Sequence, residues 1–294
     1  MKIGIVGNPG GWSTERLADV AEGRTGFRCV IDPAKVCLDL QEETAMFGDV
    51  DLCSLDGVII KKVGYEYGQT HLDRLEVLRF INERGVPVFS RPERILRLLD
   101  RLACTVTLRA HDIPMPPTVI TESIEEALAT VRRFGTAVFK PLFSTKARGM
   151  RVIEDGEEAV DEVRDFKECG NDVMYIQRII DLPGRDLGVV FLGGEYVGTY
   201  ARVKNDDAWN TTRRAGGKYE RYDPPGEIIE LAERAQKPFG LDFTSVDVAE
   251  SREGLVVFEV SAFGGFRGLK EGCGIDAAER YADYVITRIE RERK

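Results

Sequence analysis

The sequence predicts an α/β protein whose C-terminal part is α+β, and three observations carry that expectation. Short apolar runs alternate with helical spacings up to residue 91, the mark of a small parallel sheet. The pattern changes at Arg91-Pro92. From Asp186 onward the strand signals come in pairs joined by short turns, the mark of antiparallel pairing.

The elements follow in order. Lys2 to Val6 reads as a first strand that stops at Gly7, and Asn8-Pro9-Gly10-Gly11 as a loop. Ser13 to Glu22 reads as a helix, and Phe27 to Ile31 as a second strand closed by Pro33. Val58-Ile59-Ile60 is a third strand. Leu72, Leu75, Leu78 and Ile81 recur at helical spacing before Gly85, and Val86 to Phe89 is a fourth strand. Two helical stretches run to His111, and Pro114 to Pro117 is rigid and extended. Ser123 with Glu126 forms a capping box for a helix to Phe134. Ala137 to Pro141 is a strand, followed by the polar loop Ser144 to Gly149, a further strand and helix, and Val173 to Gln177. Leu187 to Leu192 and Glu195 to Arg202 flank Gly193-Gly194 as a hairpin. A helix from Glu227 to Phe239 stops at Gly240, two strands follow, and a final helix runs from Asp276 to Arg291.

Composition narrows the function. The 294 residues suit about two domains. The net charge of −9 argues against a general nucleic-acid binder. No apolar run reaches the length of a membrane span, and the N-terminus reads as a strand rather than a signal peptide. Six scattered cysteines without a CxxC pair fit a reducing cytoplasm, and two distant histidines exclude an HExxH zinc site.

The chemistry concentrates in residues 244–261. With the hairpin centred on Glu253, Asp247 lies opposite Glu259 and Ser245 opposite Ser261, while Val246 meets Val260 and Val248 meets Phe258. Opposed like charges destabilise a sheet unless compensated. A hard cation such as Mg²⁺ would compensate; two solvated carboxylates on an outer face are the alternative. Lys140, ending an apolar strand, either reaches a phosphate or snorkels to water. The loop Ser144 to Gly149 either closes over phosphates or is a plain connection, and neither a Walker A loop nor a GxGxxG follows a strand. Residues 202–221 hold six basic and three acidic side chains, which marks either an anionic ligand or a solvated loop.

In this order the segments resemble an ATP-grasp enzyme of the RimK-like group, which includes the ribosomal-protein glutamate ligase and related amino-acid ligases. The likeness runs through Leu55 to Ile60, Leu99-Asp100-Arg101-Leu102, Val138-Phe139-Lys140-Pro141, Tyr175 to Ile180, Gly184-Arg185-Asp186, Trp209 to Gly217, Val246-Asp247-Val248, Phe258 to Ser261 and Gly274-Ile275-Asp276. It implies residues 1–91 as an N-terminal pre-ATP-grasp α/β domain and 92–294 as the ATP-grasp domain. The latter would hold a central lid at about 113–180 and a C-terminal part at about 181–294.

The resemblance implies ATP held between two antiparallel sheets, with Mg²⁺ or Mn²⁺. Lys140 and Arg101 match phosphate-contacting positions. Arg178 and Ile179 match the segment whose backbone reads the adenine edge, Asp186 the acid near the ribose, and Asn210, Thr211 and Thr212 a polar nucleotide-contacting segment. Asp247 and Glu259 match metal-binding carboxylates, and Ser261 stands where the group has Asn. Arg202 and Arg214 are candidates for the transferred phosphoryl group, and Arg267 for a substrate carboxylate. Further departures are Thr212 for Asn, Gly188 for Arg, Arg178 for Glu, and no proline in Ala262 to Arg267.

The implied activity is ATP- and Mg²⁺-dependent ligation of a small-molecule or peptide carboxylate to an amine or amino acid through an acyl phosphate. Homo-oligomers are common in the likeness. Two alternatives stand beside it, a nucleotide-binding regulatory or scaffold protein and a phosphotransferase on the same fold.

Overall fold

In the computed structural model, which describes residues 1–65, 68–144, 147–205 and 216–293, the parallel sheet comes first. β1 (Ile3–Val6), α1 (Trp12–Thr25) and β2 (Val30–Ile31) lead into three short strands, β3 (Cys37–Asp39), β4 (Thr44–Phe47) and β5 (Val50–Asp51). β6 (Gly57–Ile60), α2 (Gln69–Glu83) and β7 (Val88–Phe89) complete this part. The parallel order is β2-β1-β6-β7. Every residue of β1 and β6 is buried, which is why both read as unbroken apolar runs. The sheet changes winding direction between β1 and β6, so a crevice opens beyond their C-terminal ends, at the loops that begin with Gly7 and Lys61. The antiparallel insert β3-β4-β5 was not expected from the sequence.

α3 (Pro92–Leu99) and α4 (Arg101–Ala110) follow β7. Asp100 caps α4 by accepting from the Leu102 N–H at 2.8 Å, which fixes Arg101 at the helix start. Next come β8 (Thr118–Thr121), α5 (Ile124–Phe134), β9 (Thr136–Lys140), β10 (Arg151–Glu154), α6 (Ala159–Glu168) and β11 (Met174–Arg178). Their strands form an antiparallel sheet in the order β10-β9-β11-β8. The sheet and its two helices enclose a separate core around Val131, Phe139, Val163, Phe166 and Ile176. Half of the predicted capping box forms: Ser123 Oγ accepts from the Glu126 N–H at 3.3 Å, while the Ser123 N–H donates to Thr121 Oγ1 at 3.0 Å rather than to Glu126.

The rest of the chain supplies β12 (Arg185–Leu192), β13 (Glu195–Val203), β14 (Lys218–Arg221), α7 (Gly226–Gln236), β15 (Phe243–Ser251), β16 (Gly254–Ser261) and α8 (Ala277–Glu292). A helical segment at Phe266–Gly268 continues as Leu269–Cys273 before α8. The second antiparallel sheet runs β14-β13-β12-β15-β16. α8 then returns to the start of the chain. Its Tyr281, Val285 and Ile289 share a core with Ile3, Ile5 and Leu17. Arg16–Asp276 and Arg24–Asp283, each 2.9 Å, flank this contact. Among the described residues no helix is long and apolar enough to cross a membrane.

Candidate active site

The β15–β16 hairpin pairs Asp247 with Glu259, Ser245 with Ser261 and Val246 with Val260, as the sequence predicts. The prediction for Val248 is corrected: it pairs with Val257, not Phe258. The turn holds two residues, Arg252 and Glu253, between the Ser251–Gly254 pair, and a bulge between Asp247 and Val248 absorbs the remaining residue. The bulge takes Phe258 off the apolar face. Its half-buried ring lies 5.5 Å from Lys140 Nζ.

Arginines sit on both opposed carboxylates. Asp186 on β12 faces Arg202 on β13, and Gly188, two residues along, faces Asp247. Arg202 Nε donates to Asp186 Oδ2 at 2.9 Å, Nη2 donates to the same oxygen, and Nη2 also lies 2.9 Å from Asp247 Oδ2. Burial pushes the Asp247 carboxyl above the usual range; Arg202 opposes the rise, and Glu259 and Asp186 add to it. Burial also works against the Arg202 charge, but Asp186 and Asp247 outweigh it and hold the guanidinium well above its ordinary value. Arg101 Nη1 pairs with Glu259 Oε2 at 3.1 Å, and its Nη2 reaches Ser144 Oγ at 3.5 Å.

Lys140 ends β9 on the neighbouring antiparallel sheet. Its Nζ donates to Gln177 Oε1 at 2.5 Å. Gln177 donates in turn to Thr118 Oγ1 at 2.9 Å and to the Tyr175 hydroxyl at 3.3 Å, and that hydroxyl shares a 2.9 Å hydrogen bond with Thr105. Burial and then the Arg101 charge push the Lys140 ammonium down to about 7, against the pull of Glu259. Arg101, Ser144, Phe258, Glu259 and Ser261 line one cleft. A larger groove of about 720 Å³ between Pro114, Leu255 and the Glu227–Lys237 face of α7 contains none of the predicted residues.

The donor set fits the expected ligands. Asp247, Glu259 and Ser261 are hard oxygen donors on adjoining strands, the kind Mg²⁺ prefers. Among the described residues Asp186 Oδ1 is buried with no hydrogen-bond partner, an acceptor that a sugar hydroxyl would satisfy. The Arg178 and Ile179 N–H groups are already taken, by Pro117 O at 2.9 Å and Thr136 O at 3.5 Å. The Arg178 side chain turns to Glu253. Arg267 stands apart from the carboxylate pair, 5.3 Å over the Trp12 ring and 3.7 Å from Glu271. Asn210, Thr211, Thr212 and Arg214 lie outside the described residues.

Several contributors escaped sequence reasoning. Gln177 and Tyr175 alternate on one face of β11, so strand periodicity could have found them. Phe258 depends on the bulge, and no residue pattern marks it. Tyr200 explains Gly188. A Cβ on Gly188 would stand 2.3 Å from Tyr200 Cζ, and one on Gly268 equally close, so the ring fills the space where the group's arginine would leave the strand.

Comparison with known proteins agrees with this geometry. Residues 99–285 match the RimK-like ATP-grasp domain. The tetrahydromethanopterin:alpha-L-glutamate ligase of Methanosarcina acetivorans is 26% identical over 318 residues, covering 97% of this chain and 98% of its own. A probable alpha-L-glutamate ligase of Aeromonas salmonicida is 25% identical, covering 100% and 99%. The ATP-grasp ligase PsnB, solved with a phosphomimetic variant of its minimal precursor, Mg and ADP, superposes with a TM-score of 0.76 at 18% identity, covering 98% of each chain. With this match and its combination of parallel and antiparallel sheets, the chain belongs to the RimK-like ATP-grasp family of ATP-dependent carboxylate–amine ligases.

Proposed function

We propose that the protein joins the amine of L-glutamate to a carboxylate acceptor, with ATP and Mg²⁺ (or Mn²⁺), in a reducing cytoplasm. The observation that carries this reading is the opposed pair Asp247–Glu259, each with an arginine, with Lys140 Nζ 5.5 Å over the ring of Phe258, the residue before Glu259. Both curated relatives are named for α-L-glutamate, and only one is named for an acceptor, so the amine is the shared part. The six free cysteines suit a reducing compartment.

Lys140 and Arg101 hold the nucleotide phosphates, and Asp186 accepts from the sugar. A carboxylate oxygen of the acceptor attacks the γ-phosphorus and displaces ADP. The amine then attacks the acyl carbon, phosphate departs with the C–O bond electrons, and the amine proton is lost to solvent. Arg202 meets the transferred phosphoryl group with two parallel donors; Arg214 shares that role on the resemblance alone, as Asn210, Thr211 and Thr212 do for nucleotide contact. Asp247, Glu259 and Ser261 would hold the metal, which supplies neutralising charge between the phosphates when bound. Arg101 beside Glu259 and Arg202 beside Asp186 and Asp247 would place guanidinium charge next to the bound phosphates. Arg267 takes a substrate carboxylate where residues 1–91, at the Trp12 end of α1, meet the ATP-grasp part at 92–294.

The test is ADP release across a panel of small-molecule and peptide carboxylates. It should require both acceptor and L-glutamate, and Asp247→Asn should lower kcat by about 10²–10³. Sustained multiple turnover to a stable phosphorylated product without amine would identify a phosphotransferase instead. Nucleotide binding with no turnover across the panel would identify a regulatory protein.

A further inference from the structure

Lys61 is an unusual residue for its place. It follows β6 at the opening of the parallel-sheet crevice, with its N–H donating to Val6 O at 2.8 Å. It is 2% exposed, yet among the described residues no carboxylate pairs with it. Its Nζ instead donates to Phe263 O at 2.7 Å and lies 4.1 Å over the Phe266 ring. Lys62, next in the chain, has its Nζ 5.0 Å over the Phe263 ring. Two consecutive lysines of the first sheet thus grip the loop that follows β16.

That loop is tightly fitted. A Cβ on Gly264 would stand 3.1 Å from Ser245 Cβ and 3.4 Å from Ser261 Oγ, so both neighbours would have to give way slightly. The Phe263 N–H donates to Ser261 Oγ at 3.2 Å. One residue, Phe263, therefore separates the Lys61 ammonium from the hydroxyl that sits two residues beyond Glu259. Burying an ammonium is expensive, and a methionine would fill similar volume without that cost. The lysine is best explained by the donor it supplies.

We propose that Lys61 is a positioning residue for the metal end of the site: by holding Phe263 O it fixes the Phe263 N–H that orients the Ser261 oxygen. The inference rests on Ser261 and Glu259 as metal ligands. It also makes the crevice of the parallel sheet and the carboxylate strand one mechanical unit, because anything that displaces the start of the β6 loop displaces Ser261.

The test reads Mn²⁺ binding to the full chain with a non-hydrolysable ATP analogue, by the electron paramagnetic resonance signal of free Mn²⁺. Lys61→Met should weaken Mn²⁺ by about tenfold or more, as loss of a partner behind a metal ligand does. Its affinity for the analogue without metal should not change, and its melting temperature should hold or rise. Ser261→Ala should weaken Mn²⁺ similarly, and adding Lys61→Met to it should cost nothing further, because both act through one oxygen. Lys61→Gln takes the same place in the cycle if Lys61→Met does not fold. Wild-type Mn²⁺ affinity in the lysine variant, or additive losses in the double variant, would overturn the proposal. If the wild type binds the analogue but no Mn²⁺, the metal reading falls and this inference with it.

Discussion

Lys140 carries its charge in a place that resists it. Burial and Arg101 bring its ammonium down to about 7 from an ordinary 10.5. Nucleotide phosphates favour the charged form, so binding above that pH takes up a proton and weakens as pH rises. Calorimetry at pH 8 in two buffers of different ionisation heat should show uptake of up to about one proton in the wild type and none in Lys140→Met; identical heats in both buffers for the wild type would refute the role. The same shift acts on folding with a definite sign. Between about 7 and 10.5 the unfolded chain holds more protons at this residue, so its contribution favours folding increasingly as pH rises through that window. At this scale the sequence was informative wherever chemistry attaches to residue type. Lysine at a strand end and two acids at opposed positions were legible. Lys61 was not, because its meaning lies in a carbonyl 202 residues away.

The hairpin shows what an element adds. Asp247 opposite Glu259 was legible because strands alternate with period two. Phe258 was not, since a bulge breaks the period that the prediction used. The β3–β5 insert escaped for another reason: its strands are two to four residues long, too short to display alternation. The β12–β13 pair makes the next prediction. Tyr200 is buried and wedged between Gly188 and Gly268, with its Cβ 2.9 Å from the Cβ position of Gly272, so it has little room to yield. Gly188→Ala should therefore destabilise by about 1–3 kcal/mol. Chemical denaturation would measure it, and Tyr200→Leu should recover part of the loss in the double variant. A neutral Gly188→Ala would show that the ring can move aside.

In the whole molecule, the first strand and the last described helix form one core. The strand–helix alternation was legible, but the packing of α8 on α1 was not, because an amphipathic helix does not name its partner. Ile289 is buried, and its Cδ1 stands 2.5 Å from where Gly57 would carry a Cβ. Ile289→Ala should cost about 2–5 kcal/mol and loosen β1 and β6, read as faster amide exchange in both strands. Arg24→Ala, which removes only an exposed pair, should leave stability and exchange in both strands nearly unchanged.

The return of α8 to α1 also sets a timetable. β1 leaves the ribosome about 270 residues before α8 does. At about 5–20 residues per second that interval is tens of seconds. Throughout it Ile3, Ile5 and Leu17 lack the cover that Tyr281, Val285 and Ile289 later provide. The antiparallel sheet of residues 118–178, with a core of its own, is under no such delay. β1 and α1 thus complete their core later than the sheet of residues 118–178, although they are made before it.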